Sequence, residues 1–184
     1  MAGSQTHKRM HPLSGRSRTG GEAPHAYRYQ GPPKPDPAAA RTREVLALLA
    51  QQRRMLALRS SRVRDLANEL HERVAQAVCD GAKAAAVAKA SGMLATAVRS
   101  VALAREELYP SGQGRAEQLR LIAELAADLA AAADARGALE QKRTEVLAMA
   151  RKSRLLDDYQ LAAASGLKSD EIRKMTRGVG LRVA

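Results

Sequence analysis

The side chains able to do chemistry in this 184-residue chain are mostly cations: 31 Lys and Arg stand against 19 Asp and Glu, a formal charge of +12. They include Lys8, Arg9, Arg16, Arg18 and Arg28 near the start and Lys168, Arg173, Lys174 and Arg177 near the end. Clustered Lys and Arg release counterions when they line a phosphate backbone, so nucleic acid is the expected partner and a basic solvated surface the bland alternative. Catalytic patterns are thin. His71, next to Glu72, has no second His or Cys at ligand spacing, so no metal site is expected. Asp157 and Asp158, like Glu106 and Glu107, are sequence neighbours, which diverge on a helix instead of forming an acid/base pair. The single cysteine, Cys79, cannot close an internal disulfide and reads as a small apolar residue rather than a nucleophile. No P-loop, GxSxG or GxGxxG occurs, so neither an enzyme nor a cofactor is expected.

The elements that must position these cations are helices. Aromatics make up 2% of the chain, and 38 Ala, the best helix formers, dilute a core that must be aliphatic. A β-sandwich is excluded. So is a membrane span, because the longest apolar stretch, 121–135, is interrupted by Glu124, Asp128 and Asp134 and falls short of about 20 apolar residues. The first thirty residues hold no apolar run of signal-peptide type, and the expected place is the cytoplasm, in association with the nucleoid.

Residues 1–36 read as a disordered basic arm, rich in Gly, Pro and Ser and too poor in aliphatics to offset their own conformational entropy. Tyr27 and Tyr29 flank Arg28 there and could stack on bases, although disorder is the favoured reading. Asp36 and Pro37 suit the cap and first position of a helix. Leu49, Leu56, Val63, Leu70 and Ala77 then recur every seven residues, and Ser60-Ser61 divides the stretch into expected helices at 38–59 and 62–80, with one long bent helix as the alternative. Residues 109–114 (YPSGQG) form a turn cluster between two helical units, 37–108 and 115–184, and a break is expected near Arg136-Gly137. The units repeat with an offset of 74 residues, best seen where AKASG at 88–92 matches AAASG at 162–166.

The two repeated short pairs resemble the helix-turn-helix class of DNA-binding proteins. Its twenty-residue unit wants a small residue at the fifth slot, Gly at the ninth, and aliphatics at the fourth, tenth, fifteenth and eighteenth. At 84–103 these are Ala88, Gly92, Val87, Met93, Val98 and Val101; at 158–177 they are Ala162, Gly166, Leu161, Leu167, Ile172 and Met175. The small residue lets the helices cross closely, and Gly supplies the positive φ of the tight turn. The resemblance implies that the second helix of each pair enters a major groove. Its contact slots fall on Lys168, Ser169, Asp170, Arg173, Lys174 and Arg177, where Arg173 and Lys174 can donate to guanine O6 and N7, Lys168 and Arg177 can hold phosphates, and Ser169 caps the helix. Asp170 and Glu171 suit the helix dipole, with Asp170 accepting from a cytosine amine as a minority reading. The first copy places Leu94, Ala95, Thr96, Arg99, Ser100 and Leu103 there, with Arg105 beyond; this plainer face reads thymine methyls and a guanine, or serves packing.

The expectation is therefore an all-α protein of two helical units, each ending in a helix-turn-helix, with the long helices in a bundle or hairpin. Sequence-specific binding of double-stranded DNA follows, as a transcriptional regulator or repressor acting as a monomer on an asymmetric site or as a homodimer through the long helices. In architecture this resembles phage immunity repressors of actinobacteria. A DNA-organising, replicon-maintenance or packaging factor, and a helical module that docks on protein or RNA, are the alternatives.

Overall fold

In the computed structural model, which describes residues 36–105 and 108–179, the chain is all-helical and no strand occurs among the described residues. Helix α1 spans Pro37–Cys79, α2 Ala84–Ser91, α3 Ala95–Leu103, α4 Arg115–Lys152, α5 Asp158–Ser165 and α6 Ser169–Thr176. The expected arm residues Lys8, Arg9, Arg16, Arg18 and Arg28 lie outside the described residues.

Asp36 caps α1 by accepting the Ala38 N–H at 2.9 Å, and Pro37 occupies the first turn, where its missing N–H is not needed. The expected division at Ser60-Ser61 is absent: α1 runs unbroken for 43 residues. Two serines cost a helix only about half a kcal/mol each relative to Ala, and the buried Leu56 and Leu66 on either side of the pair, with Leu70 in the core shared with α4, keep the helix seated. The expected break near Arg136-Gly137 is absent too. Gly137 costs α4 roughly 1 kcal/mol, against which stand an Arg136–Glu140 ion pair at 2.9 Å and the Arg59 guanidinium, which donates to the Ala135 carbonyl from across the hairpin.

The two long helices lie antiparallel, the start of α1 beside the end of α4, and each end of this hairpin carries its own core. Val45 and Leu49 of α1 meet Leu147 and Ala150 of α4, closed over by Leu156, Leu161 and Ile172. At the other end Leu70, Val74 and Ala77 meet Ile122, closed over by Ala82, Val87 and Val98. Each short pair thus seats on both long helices, α2 and α3 on one end, α5 and α6 on the other.

The connection between the halves is tied down by Asp80, which accepts from the Ser111 N–H at 2.6 Å, from the Ser111 hydroxyl, and from the side-chain amides of Gln76 and Gln118. The Ser111 hydroxyl, then its N–H and the two amides, hold this carboxyl below the ordinary aspartate range against an opposing desolvation. No single helix among the described residues is long and apolar enough to cross a membrane.

Candidate nucleic-acid interface

Each short pair is built around a three-residue turn whose glycine adopts the left-handed conformation, Gly92 at φ 69° and Gly166 at φ 72°. A serine just before each glycine, nearly buried, staples the turn: the Ser91 hydroxyl accepts the Met93 N–H and the Ser165 hydroxyl the Leu167 N–H, both at 3.3 Å. The axes of α2 and α3 meet at 107°. Val98 fixes α3 and Ile172 fixes α6, both fully buried, so the opposite face of each helix is left to solvent.

With about 100° between successive residues, the direction opposite Ile172 belongs to Lys174 and Asp170, flanked by Arg177 and Arg173. All four are exposed. The Lys174 ammonium enters none of the ion pairs among the described residues. Arg173 is held differently: its Nε and Nη2 donate to one Asp158 oxygen on α5 at 3.0 and 2.8 Å, and Asp170 lies 3.7 Å from Nη1. Those hydrogen bonds and the Asp158 charge raise the Arg173 guanidinium above its usual range. Asp158 also faces Arg151 at 3.5 Å, and Arg151 in turn donates to the Thr176 hydroxyl at 3.1 Å. This set of contacts locks α6 against α5 and α4.

Ser169 is not the cap. The helix is capped at Lys168, whose backbone N–H donates to the Glu171 carboxylate at 2.9 Å, while the Ser169 hydroxyl leans towards the Asp158 carbonyl at 3.5 Å. The ring of contacts between α5 and α6 turns Ser169 inward, so the acid three residues on takes over the orphan donor. Lys168 itself is exposed at the turn. Arg53 of α1 arrives there as well, its Nε only 2.7 Å from where a Cβ on Gly166 would stand. No sequence signal links Arg53 with Gly166, 113 positions later; only the antiparallel hairpin brings them together.

On α3, Thr96, Ser100 and Leu103 face away from Val98 with Arg99 to one side, and all four are exposed, as is Leu94 before the helix. Arg105 points elsewhere, pairing with Glu72 of α1 at 3.2 Å. On α3 itself, among the described residues, Arg99 is the one cation outside an ion pair, beside apolar and hydroxyl groups, with Lys83 and Lys89 exposed on the α2 side. The α6 end offers a cationic ridge.

Comparisons of the chain with protein-family models, with curated proteins and with solved structures found no match.

Proposed function

We propose that the chain binds double-stranded DNA sequence-specifically, with α5–α6 and α2–α3 as helix-turn-helix units and α6 as the principal reading helix. The observation that carries this reading is the placement of α6. One buried residue, Ile172, anchors it, and Lys174, Arg177 and Arg173 lie on the outer side of a helix short enough to enter a major groove end-on. Lys174 donates to guanine O6 or N7; Arg177, Lys168 and Arg53 hold backbone phosphates around it. Asp158 keeps the Arg173 fork poised at the edge of that surface, and Glu171 is consumed in capping. A transcriptional regulator is the biological role that such readout serves most directly.

Gel-shift titration of the full chain on duplexes selected from a random pool tests this. Lys174→Ala is expected to lose about 1–3 kcal/mol on the selected site and little on random duplex. Equal losses on both, or none, contradict the reading.

A second reading, self-association through the long helices, rests on Leu48, Met55 and Leu58, which leave a partly exposed apolar stripe on α1. Sedimentation of the free chain decides it: a concentration-dependent dimer abolished by Leu58→Glu supports it.

A further inference from the structure

The packing scheme is nearly unchanged when α1, α2 and α3 are exchanged with α4, α5 and α6; the α1–α2 contact alone has no counterpart of similar extent between α4 and α5. Helix α2 rests on α4 as α5 rests on α1, and α3 touches α1 as α6 touches α4. The two cores obey the same exchange: Val74, Ala77, Val87 and Val98 at one end occupy the places of Leu147, Ala150, Leu161 and Ile172 at the other, and Ile122 that of Leu49. Even the helix ends correspond, since Gly81 after α1 and Arg154 after α4 both take positive φ, 84° and 53°. The molecule therefore has an approximate twofold axis.

The direction of that axis follows from geometry. Only a rotation about the normal to their common plane interchanges two antiparallel helices, and such a rotation keeps everything on its own side of the plane. Helices α3 and α6 consequently lie on the same side of the hairpin, at opposite ends and inverted relative to each other. Leu49 and Val74 mark the two core centres on α1, 25 residues apart, which at 1.5 Å per residue is about 38 Å. One turn of duplex DNA separates successive major grooves on one face by roughly 34–36 Å, and two turns by about twice that. Only one turn fits.

Resting on the reading of α6 as a DNA-contacting helix, we infer that one chain spans two consecutive major grooves of one duplex. It then reads an imperfect inverted repeat whose half-sites are centred about 10–11 base pairs apart. The imperfection has a physical source. Arg99 and Arg173 are equivalent under the exchange, but Ser100 stands where the other end has Lys174, and Leu103 where it has Arg177. The α3 half-site is accordingly expected to favour thymine methyls and the α6 half-site guanine.

The test is a selection of duplexes by the full chain, followed by hydroxyl-radical footprinting, measurement of stoichiometry, and a repeat titration after five base pairs are inserted between the half-sites. Expected are two protected windows one turn apart, one chain per duplex, and an affinity loss of at least about tenfold on the insertion, which turns one half-site to the far face. Arg99→Ala should remove most of that sensitivity to spacing. A single protected window with no effect of the insertion, or two chains on a symmetric site, overturns the inference while leaving α6 as a reading helix. Absence of any selected sequence overturns the DNA reading itself, and the inference with it.

Discussion

Arg173 stands in two relations at once, outward-facing on α6 and forked onto Asp158 of α5. Because an ion pair between exposed groups is weak and screened by solvent and salt, a phosphate or guanine can compete for the guanidinium. Asp158→Asn should therefore release Arg173 and remove an acid from the surface. Gel shifts at several salt concentrations are expected to show tighter binding to all duplexes and a salt slope steeper by about one counterion, at the cost of a slightly lower melting temperature. A weaker complex would mean that Asp158 positions Arg173 for its contact. Arg154 makes a separate residue-scale case. It holds φ 53° just past the cap of α4, the place Gly81 takes just past the cap of α1, and an L-residue in that region carries roughly 1–2 kcal/mol of strain. Arg154→Gly is expected to raise stability by about 0.5–1 kcal/mol, net of the extra freedom glycine has when unfolded, as a small rise in melting temperature.

At the scale of elements, the short helices and the long ones differ in how much of them was legible. The short pairs fall where the spacing of Val87, Gly92 and Val98 and of Leu161, Gly166 and Ile172 places them, because a tight turn with a left-handed glycine is a local requirement. The long helices run on through Ser60-Ser61, as the one-helix alternative has it, and through Gly137, because their continuity is decided by packing across the hairpin, between residues some 75 positions apart. The Asp80 clamp is equally non-local: its partners Ser111 and Gln118 sit beyond the whole α2–α3 pair. Its carboxyl is depressed in the folded state, so the stabilisation it gives is present above the unfolded aspartate pKa and is lost as pH falls through the lower folded value. Melting temperatures between pH 7 and pH 2 should fall less steeply for Asp80→Asn, from a lower starting point at neutral pH; parallel curves would show that the clamp does not set the acid limb.

At the scale of the molecule, the described helices form one compact unit in which neither short pair has a core without both long helices. The repeat was visible as matching residues, but its consequence was not, since periodicity alone says nothing about whether two units lie end to end or fold back. The antiparallel hairpin answers that, and the approximate twofold inferred from it would bring two unlike helices to one side. Charge follows the same division, with the cationic ridge at the α6 end and the plainer face at the α3 end.

If α6 enters a major groove with Lys174 foremost, guanine N7 methylation interference on a selected duplex will register it. Methylation at one or two guanines should abolish binding by the intact chain, and Lys174→Ala should lose this sensitivity. Interference that is absent, or identical for the intact chain and the variant, would contradict it.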